Sequence, residues 1–181
     1  GENALAGGLQ TIAGTAIAEA CEETLFREGL SAFAAVQKGL VTPAVEAIVE
    51  ANTLLSGLGC ENGGLAAAHA IHNGFTAIKG EVHRLTHGEI VGFCLLVQLI
   101  LEERPQEEFK RYSRFLAAIG MPTTLAEMHL TGATREELLE IGKLAVAPSN
   151  TMKNLNKNIT AEQVVAAILA VDTFIGKEEK E

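Results

Sequence analysis

Residues 86–101 read THGEIVGFCLLVQLIL, a helix-start signal followed by a largely apolar run. Thr86 and Glu89 have the spacing at which an N-cap hydroxyl and a carboxylate three residues later satisfy each other's free backbone donors. The apolar part, residues 90–101, is too short for a membrane span, which needs about 20 apolar residues. The stretch therefore predicts a helix buried in the core of a water-soluble domain.

The same helix-start signal recurs along the chain. Further pairs begin at Thr124, Thr134 and Thr160, and Pro43 follows Thr42 as a proline does at the first helical position. Alternating β-branched residues with Asn-Gly turns are rare, so the predicted fold class is all-α. The predicted helices span residues 4–28, 31–39, 43–58, 64–79, 87–103, 105–119, 124–130, 135–146 and 161–175.

Composition limits the classes of protein to which the chain can belong. It has 181 residues, 48% of them hydrophobic, and we expect residues 1–181 to form a single helical domain. A formal net charge of −9 without a clustered basic patch argues against nucleic acid as a partner. The sequence also predicts no membrane partner, because no apolar run is long enough to span a bilayer.

The cysteines and the first residues predict a cytoplasmic protein. Cys21, Cys60 and Cys94 are odd in number, widely spaced and outside any Cys-x-x-Cys pattern, which is typical of reduced thiols. Residues 1–3 read GEN, and neither a basic region nor an apolar segment of the signal-peptide kind follows.

Histidines are the candidate functional residues. Residues 63–74 read GGLAAAHAIHNG, which places His69 and His72 on one helix face, and His87 opens the next predicted helix. A reversal of the chain at residues 80–85 would bring the two helix ends together. Neutral imidazole is the commonest protein ligand for zinc, so a shared metal is possible. From spacing alone, hydrogen-bonded core or cleft histidines are the alternative interpretation.

The histidine run resembles the metal-binding segment of the glycerol dehydrogenase branch of the iron-containing, or group III, alcohol dehydrogenases. The resemblance also includes residues 42–46 (TPAVE), 50–59 (EANTLLSGLG) and 160–164 (TAEQV), and it covers essentially the whole chain. It implies the dehydroquinate synthase-like architecture of that family, of which this chain resembles the helical C-terminal half. The nucleotide-binding N-terminal half is expected to be absent from this chain.

The resemblance implies a reaction and its cofactors. In the intact enzyme it implies NAD-dependent oxidation of glycerol, or of a similar polyol, to dihydroxyacetone or another hydroxyketone by metal-assisted hydride transfer. His69 and His87 occupy the family's metal-ligand positions, with zinc the expected ion and iron also suited to such ligands. NAD would bind mostly to the absent domain. No cofactor-binding residue is assigned here, because residues 57–63 lack both the third glycine of a dinucleotide fingerprint and a preceding strand.

The third metal ligand is not assigned. The resemblance implies an aspartate upstream of residue 1, and Asp172, the only aspartate here, lies in no matching context. Glu81 and Glu89 are closer in sequence to the histidines, but Glu89 already has a capping role.

Two further residues are expected at the substrate pocket. Cys60 occupies a position where the family commonly carries an aromatic residue that faces the polyol, although a small buried thiol is an equal alternative. His72 is expected to line the cleft. No catalytic residue beyond the metal ligands is assigned.

An alternative function belongs to another class. The chain can be a stand-alone helical assembly or binding module without catalytic activity. Homo-oligomers are typical of the family, so self-association is expected under either hypothesis, and an uncovered cleft wall would favour it.

Overall fold

The computed structural model describes residues 7–156 and 158–178, and 71% of the chain is helical. No β-strand occurs among these described residues, which confirms the all-α prediction. None of the described helices is long and apolar enough to cross a membrane. The chain divides into two compact units, residues 1–65 and residues 66–181.

The first unit is built around one long helix. Its described elements are α1 (Ile12–Val36), α2 (Pro43–Glu50), a π-helical turn (Ala51–Leu55) and α3 (Ser56–Gly63). The hydroxyl of Thr11 caps α1 by accepting a hydrogen bond from the amide of Gly14. Thr42 caps α2 with Pro43 at its first position, as the sequence predicts. Helix α1 packs against both α2 and α3.

The prediction of two helices at residues 4–28 and 31–39 is wrong for the described residues, and residues 4–6 lie outside them. A single helix, α1, runs through the predicted break. Gly29 interrupts the helical pattern in the sequence, but a glycine inside a helix costs only about 1 kcal/mol. The packing of α1 on its two neighbours outweighs that cost.

The second unit contains the rest of the helices. They are α4 (Ala67–Gly74), a 3-10 turn (Phe75–Ala77), a second 3-10 turn (Glu81–Arg84), α5 (His87–Leu101), α6 (Gln106–Ala118), α7 (Arg135–Ala145), α8 (Met152–Leu155) and α9 (Ala161–Glu178). Helices α4, α5, α9 and α7 each contact the next and so close a ring. Helix α6 packs on α5, and α8 packs on α4.

The core of the second unit lies inside this ring. Helix α5 contributes Phe93, Leu96 and Val97, which are fully buried, and this confirms the core helix predicted from residues 90–101. Ile71 of α4 and Ile168 of α9 meet them from the neighbouring helices. Helix α5 is the most apolar of these helices, and α4, α6 and α9 together cover its apolar surface.

One predicted helix of the second unit is wrong. Residues 124–130 form turns and not an α-helix, although Thr124 and Glu127 make the predicted side-chain-to-backbone bonds. The backbone of His129 has φ +57°, a left-handed conformation, so the chain leaves the helical path after a single turn. The capping box at this position therefore closes a loop.

Candidate metal centre

Helix α4 carries two of the histidines, and other elements hold its first turn in place. The helix lacks a side-chain cap of its own, and the amide of Ala68 instead donates to Oε1 of Gln98 at 2.8 Å. The hydroxyl of Thr151 donates to the carbonyl of Ala66 at 2.7 Å. Helix α5 and the start of α8 therefore fix the position of α4, and with it those of its histidines.

His87 is the first residue of α5, and a complete capping box precedes it. Oε2 of Glu89 accepts bonds from both the amide and the hydroxyl of Thr86, each at 2.6 Å. These hydrogen bonds from Thr86 lower the pKa of Glu89, with a small opposing effect of burial. The box sets the direction in which the chain enters α5, and so the place of the His87 ring.

The structure brings His69, His72 and His87 together. The ring centroids of His69 and His87 lie 5.5 Å apart, and those of His72 and His87 lie 4.4 Å apart at an interplanar angle of 76°. Nδ1 of His87 is 3.1 Å from Nε2 of His72, a hydrogen-bonding distance. The chain reversal expected from the sequence thus places three imidazoles at one point, where α4 ends and α5 begins.

The electrostatics of this cluster favour a neutral ring at His69. Burial lowers the pKa of His69, and the nearby His87 and His72 lower it further because a second positive charge would be repelled. His69 and His72 are half-buried, whereas His87 is exposed. A neutral imidazole is the form that binds a metal, so the environment of His69 suits a ligand.

The carboxylates considered as a third ligand have other partners. The side chain of Asp172 accepts the amide of Leu125 at 2.7 Å, and Glu81 forms an ion pair with Arg84. Glu89 serves the capping box. Among the described residues, no three His, Cys, Asp or Glu side chains are arranged so that they could hold a metal.

The donor chemistry nevertheless fits a borderline metal. Two imidazoles with a third beside them are ligands that zinc and iron both accept. One nitrogen of His87 faces His72 and not a common centre, so the three rings do not form a ready-made three-ligand site. The assignment of His69 and His87 as metal ligands stays a prediction.

The other two histidines lie elsewhere in the second unit. His83 is exposed, and its Nε2 donates to the carbonyl of Ile78 at 2.7 Å, which closes the loop before α5. His129 is exposed in the turn that replaces the predicted helix. His129 therefore serves as a control for the three clustered histidines.

Cys60 lies on α3 in the first unit and is half-buried. The surrounding glycines belong to this helix; a Cβ added at Gly59 would lie 3.3 Å from Cα of Ala18, so the small residue permits close packing of α1 and α3. Burial raises the pKa of the Cys60 thiol, and the charge of Glu61 raises it further. The side chain is a small neutral thiol at neutral pH.

Sequence reasoning did not single out Asn73 and Asn150. Oδ1 of Asn73 lies 3.3 Å from Nδ1 of His72, and Nδ2 of Asn73 donates to Oδ1 of Asn150 at 3.1 Å. Asn73 directly follows His72 in the histidine run, which was a signal available in the sequence. Asn150 lies 77 residues further along the chain and carried no such signal.

Comparison with known proteins identifies relatives of the whole chain. Glycerol dehydrogenase 1 of Schizosaccharomyces pombe is 48% identical over 176 residues, which cover 97% of this chain and 39% of that protein. Glycerol dehydrogenase of Citrobacter freundii is 46% identical over 93% of this chain and 46% of its own length. The chain thus spans less than half the length of these curated relatives. No family model matches it.

The fold agrees with these sequence matches. The crystal structure of glycerol dehydrogenase from S. pombe superposes with a TM-score of 0.95 and 47% identity, covering 99% of this chain and 46% of that one. The resemblance inferred from the histidine run is confirmed, and so is the helical fold that it implied. The chain is therefore a homologue of the glycerol dehydrogenases, and it corresponds to less than half of each of these relatives.

Proposed function

We propose that residues 1–181 form the helical metal- and substrate-binding domain of an NAD-dependent glycerol dehydrogenase, which oxidises glycerol to dihydroxyacetone. The observation that carries this proposal is the meeting of three imidazoles at the ends of α4 and α5. It occurs in a chain 48% identical to a protein named glycerol dehydrogenase.

The three histidines would have different roles at the metal. His69 and His87 would hold zinc, or iron, with the lowered pKa of His69 keeping its ring neutral and able to bind. A bound metal would supply a Lewis acid that favours the ionised form of a substrate hydroxyl. His72, whose ring packs edge-on against His87, would line the substrate side of the site and restrict the motion of that ligand.

Cys60 is the second proposed pocket residue. Its raised pKa keeps the thiol protonated at neutral pH, so the side chain would contribute a small uncharged surface and not a nucleophile. A thiol in place of an aromatic ring would leave more room for the polyol.

The nucleotide would bind outside this chain. The relatives are more than twice as long as the part that the chain matches, which leaves room for a separate nucleotide-binding domain. Residues 56–63, the glycine-rich segment of this chain, form helix α3 and not the strand-to-helix turn that binds a pyrophosphate. NAD would therefore bind to the other domain and accept the hydride from there.

Self-association is proposed as well, in a cytoplasmic protein. Most of the exposed large apolar side chains among the described residues belong to the first unit. They are Leu9, Ile12, Leu30, Phe33, Val36, Leu40, Val41, Val49, Leu54 and Leu58. Exposed apolar surface of this extent supports a homo-oligomer. It also supports the alternative function, a helical assembly module without catalytic activity.

Glycerol-dependent reduction of NAD by the complete gene product separates the two functions. We expect activity in the parent, loss of activity in His87→Ala, and parent-like activity in His129→Asn. Asparagine is the control substitution because it tolerates the left-handed backbone of residue 129. A complete gene product that forms oligomers but does not oxidise glycerol or any related polyol would support the assembly module instead.

A further inference from the structure

We infer that Asn150, Asn73 and His72 form a hydrogen-bonded relay that holds His87 in the tautomer with its proton on Nδ1, leaving Nε2 of His87 free to bind a metal. The role of Nε2 of His87 as a metal ligand rests on the proposed function, whereas the tautomer of His87 does not depend on it. The three residues of the relay are positioning residues for His87.

The relay begins at Asn150, whose amide orientation is fixed by backbone groups. The amide of Thr151 donates to Oδ1 of Asn150 at 3.0 Å. Nδ2 of Asn150 donates to the carbonyls of Leu144 at 3.1 Å and Ala70 at 3.4 Å. A backbone N–H can only donate and a carbonyl can only accept, so the opposite orientation of the side-chain amide would break all three bonds.

The fixed amide of Asn150 determines the orientation of the Asn73 amide, and Asn73 in turn determines which nitrogen of His72 carries the proton. Because Oδ1 of Asn150 is an acceptor, the group of Asn73 that faces it at 3.1 Å is the donor Nδ2. The other end of the Asn73 amide is then Oδ1, which lies 3.3 Å from Nδ1 of His72. An oxygen of this kind only accepts, so Nδ1 of His72 carries the proton.

The same logic assigns the proton of His87. A neutral imidazole has one N–H and one lone pair, so His72 with a proton on Nδ1 presents a lone pair on Nε2. That lone pair faces Nδ1 of His87 at 3.1 Å, and Nδ1 of His87 is therefore the donor. The remaining nitrogen of His87, Nε2, holds the lone pair.

The relay distinguishes the roles of His72 and His87. Both nitrogens of His72 take part in the relay, so His72 supports its neighbour and is not itself placed to bind the metal. His87 keeps one lone pair outside the relay, as a metal ligand must. A partner on the second nitrogen fixes the tautomer and ring orientation of a metal-binding histidine, and its removal typically weakens metal affinity about 10–100-fold.

The tautomers can be observed without any metal. Two-bond proton–nitrogen correlation spectra of the nitrogen-15-labelled chain at about pH 8, above the ordinary histidine pKa of about 6.5, distinguish a protonated Nδ1 from a protonated Nε2. We expect His72 and His87 of the parent both to carry the proton on Nδ1. In Asn73→Ala, both rings should show a mixture of tautomers.

Two further variants separate the relay from a general disturbance of the helix end. Asn73→Asp loses the amide that donates to Oδ1 of Asn150 but keeps an oxygen that only accepts. His72 should therefore still carry its proton on Nδ1, and His87 should keep the parent tautomer. Thr76→Ala removes a hydroxyl that donates to the carbonyl of Asn73 at 2.7 Å, and it leaves the relay atoms intact. It should match the parent. Parent spectra with the proton of His87 on Nε2, or spectra of Asn73→Ala that match the parent, would overturn the relay.

Zinc titration of the same variants tests the proposed function separately. We expect Asn73→Ala to bind zinc about 10–100-fold more weakly than the parent, and Thr76→Ala to bind equally well. A parent chain that shows the expected tautomers but binds no zinc would support the relay and contradict the metal site. Zinc binding by a parent whose His87 has the other tautomer would support the metal site and contradict the relay.

Discussion

Nε2 of His72 and Nδ1 of His87 lie 3.1 Å apart, although 15 positions separate the two residues in the sequence. The first belongs to the last turn of α4 and the second to the first turn of α5. The contact therefore depends on where one helix ends and where the next begins. Changes at these two helix ends are expected to act on both stability and metal binding.

The start of α5 can be tested at Thr86. We expect Thr86→Ala to lower the free energy of unfolding by about 1 kcal/mol, because the side-chain acceptor for the amide of Glu89 is lost. Thr86→Ser keeps that hydroxyl and should remain close to the parent. Urea denaturation measures both. A serine variant as unstable as the alanine variant would contradict the capping role.

The end of α4 can be tested with two glycines. A Cβ at Gly74 would lie 2.5 Å from the carbonyl oxygen of Ile141, so Gly74→Ala should cost about 1–3 kcal/mol by forcing α4 away from α7. A Cβ at Gly88, in the first turn of α5, would meet nothing within 4 Å. Gly88→Ala should therefore stabilise the protein by up to about 1 kcal/mol. Equal changes in stability would refute the close approach at Gly74.

Asp172 offers a test of the unassigned ligand. Its carboxylate accepts the amide of Leu125, so Asp172→Ala should lower the free energy of unfolding by about 1–3 kcal/mol. Asp172→Asn keeps an acceptor oxygen and should cost less. Neither change should alter zinc affinity. A selective loss of zinc binding in Asp172→Asn, with stability retained, would show that this residue is a ligand after all.

Glu127 gives the fold a dependence on acid. Burial alone would raise its pKa, but hydrogen bonds from the amides and hydroxyls of Thr123 and Thr124 outweigh that effect and lower it below 4.5. The folded chain thus binds fewer protons here than the unfolded chain. The stabilisation is fully present above about pH 4.5 and is lost as the pH falls through the folded pKa.

The variant Glu127→Gln tests this dependence. It should lower the free energy of unfolding at neutral pH by about 1 kcal/mol, a value reduced for the exposure of the carboxylate. It should also flatten the fall in stability below about pH 4.5. Glu136→Gln, at an exposed position in the first turn of α7, is the control. Identical acid dependence in the two variants would contradict the assignment.

Local signals predicted most of the helices because they depend on neighbouring residues. The boxes at Thr86 and Thr134 start α5 and α7 as expected, since both partners of each box lie within one turn. The box at Thr124 misled the prediction because the same bonds also close a turn. Helix α8 was not predicted, because it has only four residues and no side-chain cap that the sequence would indicate.

The site was only partly predictable for a related reason. His69, His72 and His87 could be placed together from helix period and loop length alone, and the structure confirms their proximity. Asn150 could not be placed, because its approach to Asn73 depends on the packing of α4 against α7 and α8. Such contacts between distant segments depend on tertiary packing, which the local sequence does not specify.

Zinc titration of the chain by calorimetry, in the parent and in His69→Ala, His87→Ala and His129→Asn, tests the proposed metal centre most directly. The parent should bind zinc, more weakly than a site with three protein ligands because water must fill the remaining positions. The variants at residues 69 and 87 should each lose measurable binding, and the variant at residue 129 should bind like the parent. If both clustered-histidine variants bind like the parent, or if His129→Asn is as weak as they are, the two histidines are hydrogen-bonded cleft residues and not metal ligands.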